Sequence, residues 1–235
     1  MTFLMILLCT IGQPSVGSDS FSPGFRIGAS FMATFPSMQN EKDFADMNIA
    51  AGLDFELGSI AWGGSVEALG DLSEKFRIRG SLGGTNLTGA YKEGYNALQN
   101  MFLVLFTLGL FSGSGEHDVI SLNDQAVTIE AQAYYVFART PGLSISGGAG
   151  PILTFASRKL ESPNTSTSGS GTGLGFVASF RLDQESSVNI GCLPLMFGLE
   201  AGYRMNSVNI GDNEVDKYEL DFSGPFVKIG SYIGI

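Results

Sequence analysis

The chain has 235 residues, 32 of them Gly, with only 15% charged residues and a net charge of −10. That length suits one barrel or one to two ordinary domains, and the few, scattered basic residues exclude a nucleic-acid partner. Mean hydropathy is slightly positive, yet no apolar run reaches the ~18 residues of a spanning helix, so apolar and polar residues are interleaved.

Residues 1–18 begin with an apolar run, Met1 to Gly12, followed by Pro14, Ser15, Val16, Gly17 and Ser18. This is the pattern of a secretory signal peptide with a small-residue cleavage site, without a leading Lys or Arg. The expected organisation is a signal peptide over 1–18 and one domain over 19–235. Cys9 and Cys192 are the two cysteines, and with no CxxC or Cys/His cluster they support neither a disulfide framework nor a structural zinc.

Residues 24–36 alternate with period 2: Phe25, Ile27, Ala29, Phe31, Ala33 and Phe35 on one face, with Arg26 on the other. After a polar loop at 37–46, residues 47–57 repeat the pattern with Asp54 and Glu56 on the polar face. The apolar phase then changes to Ile60, Trp62 and Val66, with Glu67 opposite. A two-residue hairpin turn at Gly58-Ser59 explains the change; a bulge in one long strand is the competing explanation. Residues 70–75 form a turn. Phe76, Ile78 and Leu82 then alternate with Arg77, Arg79, Ser81 and Thr85. Residues 88–100 have no clear period, and 101–111 (MFLVLFTLGLF) are apolar on both faces, read as a strand. A polar loop at 112–124 follows.

The clearest pattern is Gln125 to Ser157. Val127, Ile129, Ala131, Ala133, Tyr135 and Phe137 oppose Thr128, Glu130, Gln132 and Tyr134. Pro141-Gly142 makes a turn, and Leu143, Ile145, Ala149, Leu153 and Phe155 resume the apolar face. A flexible loop is expected at 159–170, then a strand at 172–182 with Arg181 on its polar face, a turn at 183–187, and a strand to about 206 carrying Glu200 and Arg204. An acidic loop at 209–217 precedes the last strand, which carries Lys228. Strands with one apolar face and one polar, charged face are what a membrane barrel requires, lipid outside and a wet or charged interior. The expected fold is therefore all-β: a closed, antiparallel, up-and-down transmembrane β-barrel of ten strands, with eight as the alternative.

The stretches AQAYYVF, PGLSISGGAGPILTFAS, LEAGYRM and DFSGPFVKIGSYIGI, over about the last half of the chain, resemble the small outer-membrane β-barrel proteins of Gram-negative bacteria. Those proteins place an aromatic-rich strand, a Gly-rich strand, a Gly-Tyr-Arg strand and a terminal strand in that order; this chain ends in Ile235 where they usually end in Phe. The resemblance implies a bacterial outer-membrane location, contact with outer-membrane lipid and lipopolysaccharide, and insertion by the barrel-assembly machinery. It specifies architecture and no catalytic signature.

The polar faces collect Arg26, Asp54, Glu56, Glu67, Arg77, Arg79, Glu130, Arg181, Glu200, Arg204 and Lys228 as interior charges. Both signs are present, so a salt-bridged filling of a narrow lumen is expected in preference to a charge-lined pore. His117, the only His, sits beside Glu116 and Asp118 in a polar loop; a barrel hydrolase would need it held against a carboxylate or Ser. Gly169, Gly171, Gly173 and Gly175 fail the GxGxxG pattern and read as the flexible entry to a strand. No cofactor, metal site or catalytic residue is expected. The reading is a monomeric barrel with a structural or surface-interaction role, with a narrow solute pore as the alternative and a barrel hydrolase behind it.

Overall fold

The computed structural model describes residues 24–37, 55–57, 60–91, 121–162, 165–191, 193–211 and 218–235. Eight strands close into a ring: β1 (Phe25–Thr34), β3 (Ala61–Asp71), β4 (Phe76–Tyr91), β5 (Ser121–Thr140), β6 (Leu143–Ser162), β7 (Thr165–Ile190), β8 (Leu193–Met205) and β11 (Gly224–Gly234). Each pairs antiparallel with the ring strands before and after it. The last strand closes on the first, from Arg26↔Gly234 to Thr34↔Phe226, which removes both edges of the sheet. β2 (Phe55–Leu57) adds to β4, and β9 (Ser207–Ile210) pairs with β10 (Tyr218–Asp221) as a separate hairpin.

The closed all-β barrel is the expected fold, with a ring of eight strands in place of ten. The reason is that a strand in a closed sheet has only two neighbours. β1 pairs directly with β3 along Phe25↔Gly70 to Thr34↔Ala61, and β4 pairs directly with β5 from Phe76↔Tyr135 to Ala90↔Ser121. Along these registers no further strand lies between the members of either pair. β2 lies on the same side of β4 as β3: the five steps from Leu57 to Trp62 answer only three on β4, from Gly89 to Asn86. The phase change thus belongs to one interrupted strand line, the bulge explanation. Most of 47–57, and all of 101–111, lie outside the described residues.

Two connections also move. The expected flexible loop at 159–170 continues the β6–β7 ladder from Arg158↔Gly169 to Ser162↔Thr165, and the expected turn at 183–187 is strand, with β7 ending at Ile190 before Gly191 at φ 69°. A spanning strand needs only ~9–11 residues, whereas β5 and β6 have 20 each and β7 has 26. These strands rise beyond the apolar belt. The connections at 72–75, 141–142 and 191–192 gather with the chain terminus at one end of the barrel, and the long connections leave from the other.

Alternation builds the belt. Along β5 the inward residues Asp124, Ala126, Thr128, Glu130, Gln132, Tyr134 and Val136 are buried, while Ile129, Tyr135 and Phe137 are exposed. The other strands add Phe25, Ile27, Val66, Ile78, Leu82, Ile145, Phe155, Phe176, Phe180, Leu199, Tyr203 and Ile229 to the outer surface. About ten residues per strand, tilted by ~40°, give a band about 25 Å tall. Aromatic residues mark its rims: Phe76, Tyr135, Phe137 and Phe180 in contact near the short turns, and Phe31 stacked on Trp62 at 5.3 Å toward the loops.

Candidate functional site: the barrel interior

The inward faces of the ring strands meet in a filled lumen with two chemically different parts. Nearest the short turns, Asp71 accepts from Arg26 and Arg77 at 2.6 Å each and from Arg139 at 3.2 Å. Asp183 accepts from Arg181 at 2.7 Å and from Arg77. Next come three glutamates. Glu67 accepts from Ser30 (2.7 Å), Ser65 (2.9 Å) and Tyr232 (2.8 Å), and pairs with Lys228 at 3.0 Å and Arg181 at 3.4 Å. Glu130 pairs with Arg79 at 3.1 Å and with Arg204. Glu200 pairs with Arg79, lies 3.5 Å from Arg181, and accepts from Tyr134 at 3.1 Å. Arg181 lies over the Tyr232 ring at 4.5 Å.

Strand register produces this network. Arg181 stands opposite Glu200, Lys228 opposite Glu200 on its other side, and Ser81 opposite both Glu67 and Glu130. Five carboxylates (Glu67, Asp71, Glu130, Asp183, Glu200) meet seven cations (Arg26, Arg77, Arg79, Arg139, Arg181, Arg204, Lys228), so the network carries no net negative charge although the chain carries −10. The acidic excess therefore lies outside this network. Removing one partner of such a buried pair costs on the order of 3–5 kcal/mol, because the remaining charge is left dry and uncompensated.

Of the sequence-derived interior charges, Glu67, Arg77, Arg79, Glu130, Arg181, Glu200, Arg204 and Lys228 are buried in the lumen, and Arg26 is partly buried near the turn end. Glu56 lies on β2, opposite Ala90. Asp54 and His117 lie outside the described residues. Sequence reading assigns Asp71 and Asp183 to turns and so misses them. Their signal is parity: Asp71 shares the inward phase of Glu67 and Leu69, and Asp183 that of Arg181.

Toward the loops the filling becomes apolar. Met32, Ile152, Val177 and Phe226 form a buried layer. Above it the β9–β10 hairpin folds into the mouth, where Val208, Ile210, Leu220 and Phe222 pack with Ala61, Leu87, Ala126 and Ala156 of the wall. The alternating glycines of β7 make room for it. A Cβ on Gly171, Gly173 or Gly175 would lie 2.0, 2.1 or 2.3 Å from the carbonyl oxygens of Asn209, Ser207 and Met205. These glycines serve close backbone approach rather than flexibility.

Polar contacts fasten the hairpin. Thr154 donates to Asn206 at 3.0 Å, Phe222 N–H donates to the Asn206 carbonyl at 2.8 Å, and Ser37 donates to Asp221. Arg158 donates to both oxygens of Asp124, at 2.8 and 2.9 Å, and lies 3.9 Å from the centre of the Tyr218 ring. Asp124 and Arg158 stand above the belt, among outward-facing Gln125, Ser157 and Lys159. There burial pushes the Asp124 carboxyl above its ordinary value, against the pull of Arg158.

The sequence matches no protein-family model and no curated protein. In fold it is similar to the outer membrane protein OprG from Pseudomonas aeruginosa, at 13% identity over 91% of this chain and 96% of that one, with a TM-score of 0.50. Two further similar structures are Ail, the attachment invasion locus protein of Yersinia pestis (13% identity, 91% and 97% covered, TM-score 0.46), and a major outer membrane protein from Thermus thermophilus (12%, 92% and 100%, 0.46). The OprG likeness, together with the closed ring, gives the chain the fold of a small bacterial outer-membrane β-barrel.

Proposed function

We propose that the protein is an integral, monomeric barrel of the bacterial outer membrane with a structural or surface-interaction role and a lumen that does not conduct. The carrying observation is the filled interior. A paired ionic network occupies the turn half, and the β9–β10 hairpin packs into the mouth of the other half. An open pore lined with charge needs those charges facing water, whereas here Arg79, Arg181, Glu67 and Glu200 are each no more than 2% exposed.

The outer belt supports the membrane setting, because an exposed apolar surface of this extent is stable only against lipid. Residues 1–18 act in this reading as the secretory signal, the barrel-assembly machinery inserts the folded sheet, and outer-membrane lipid and lipopolysaccharide surround the belt. The role is carried by surfaces and needs no catalysis. Planar-bilayer recording of the refolded protein tests the reading. The expected record is a flat baseline; steady unitary openings would establish a pore and overturn the filled-lumen reading.

A further inference from the structure

The interior charges do not cancel. Seven cations meet five carboxylates, which leaves two positive charges in excess. Glu67, Glu130 and Glu200 are matched by Arg79, Arg204 and Lys228. The excess therefore falls at the turn end, where Asp71 and Asp183 face Arg26, Arg77, Arg139 and Arg181. Arg181 also reaches Glu67 and Glu200, at 3.4 and 3.5 Å, but its shortest contact is with Asp183 at 2.7 Å. Water meets the network at the same end. The Arg139 and Arg26 side chains are 34% and 13% exposed, against no more than 3% for the three glutamates and their matching cations.

Two features make this end more than a structural clamp. The first is a bulge in β5 between Val136 and Ala138. In unbroken alternation Arg139 would share the outward phase of Tyr135 and Phe137. The extra residue instead sets Arg139 opposite inward-facing Ser144, and its guanidinium reaches Asp71 Oδ2 at 3.2 Å. That oxygen already accepts from Arg26 at 2.6 Å, and Asp71 Oδ1 accepts from Arg77 at 2.6 Å. A third cation on one carboxylate adds like-charge repulsion that the carboxylate does not offset. The second feature is Arg26 Nη1, a buried donor with no hydrogen-bond partner among the described residues. The other charged side chains at this end, Glu74, Lys75 and Glu185, are exposed, form no ion pair among the described residues, and are screened by water.

We propose that Arg26 and Arg139 form a binding site for a phosphate-type dianion at the turn-end mouth of the lumen. Both guanidinium groups converge on the same oxygen of Asp71, so one small oxyanion beside that carboxylate can take donors from each. Guanidinium forks match phosphate oxygens two at a time. Charge selects the class of ligand. A phosphate or phosphomonoester carries about −1.5 to −2 at pH 7, which answers an excess of two, whereas a carboxylate answers half of it. Short turns of such barrels lie on the periplasmic side, so the site faces dissolved phosphate and the phosphomonoester headgroups of inner-leaflet lipid. The filled lumen above it keeps the anion at the mouth and gives it no path across the membrane.

The test is calorimetric titration of the full chain, refolded in neutral detergent micelles, with inorganic phosphate at constant ionic strength. The expected result is saturable one-to-one binding, with acetate roughly tenfold or more weaker. Arg139→Gln, its fold checked by heat-modifiable gel migration, should weaken phosphate binding roughly tenfold. Arg139→Lys keeps the charge without the fork; it should bind less tightly than the parent chain and serves if the glutamine variant does not fold. Lys75→Gln removes an exposed cation at the same end and should leave binding unchanged. Titration with a short-chain phosphatidate distinguishes the two sources: tighter binding than inorganic phosphate assigns the site to lipid headgroups, and equal or weaker binding assigns it to the dissolved ion. Absence of saturation with phosphate would overturn the proposal. Equal binding of acetate and phosphate would overturn the charge match, and equal losses in the Arg139 and Lys75 variants would reduce the contact to general attraction and overturn the site.

Discussion

The two halves of the barrel interior solve the same problem by different means. Both must fill a narrow tube, and both are built on alternating inward positions. The turn half uses wall residues alone: charges of opposite sign on facing strands meet across the lumen, as Arg79 on β4 meets Glu200 on β8. The loop half uses wall residues that are too small to meet. Ala61, Ala126, Ala156 and the β7 glycines leave a space that a separate segment occupies. The difference lies in how each half fails. A lost charge in the turn half strands its partners in a dry interior and loads the whole ring. A lost contact in the loop half frees a hairpin while the ring beneath can stay closed.

Substitutions can break or sharpen that comparison. The largest effect is expected from Glu67→Ala, which leaves Lys228, Arg181 and the Tyr232 hydroxyl without their shared acceptor. A loss of about 4 kcal/mol, read by urea unfolding in micelles with heat-modifiable gel migration, should unfold barrel and hairpin together. A cost below ~1 kcal/mol would mean that the remaining carboxylates re-pair freely. Leu220→Ala comes next, at about 3 kcal/mol of lost packing. Here the heat-modifiable shift should persist while a protease gains access to the 206–223 segment. Simultaneous loss of both signals would show that the two halves unfold as one unit.

Gly171→Val should cost about 1–3 kcal/mol by overpacking against the Asn209 carbonyl, again with the ring retained. An unchanged protease pattern would show that β9 can shift without undocking. The smallest effect is expected from Arg158→Lys, which keeps the charge but loses the two-pronged bond to Asp124 and weakens the stacking on Tyr218. About 1 kcal/mol of hairpin docking should be lost, measured by the same protease assay, and added salt should increase the effect.

The wall is legible in the sequence far more than the filling. Period 2 over Gln125–Ser157 places Glu130 and Gln132 on one face and Ile129 and Phe137 on the other, because a strand inverts its side chains at every residue. The same rule carried across the apparent turns recovers Asp71 and Asp183. Turn chemistry and strand parity compete at strand ends, however, and polar clusters such as DQESS resemble turns. The strand count differs for another reason: alternation marks a strand without naming its neighbours, and the direct β1–β3 and β4–β5 pairings make the ring one of eight. The Ser/Thr/Gly composition of 165–170 reads as loop by propensity, and only pairing with β6 makes it strand.

By itself, the sequence determined a closed antiparallel sheet with lipid-compatible and charged faces, since alternation is local and survives without knowledge of neighbours. Only the tertiary structure decided that the ring has eight members, that Arg181 shares its charge among Asp183, Glu67 and Glu200, and that β9 and β10 turn inward. Those outcomes depend on which strands are adjacent and in what register. Adjacency in a barrel is set by closure of the whole ring, and a hairpin enters its mouth only where small residues on a distant strand leave room.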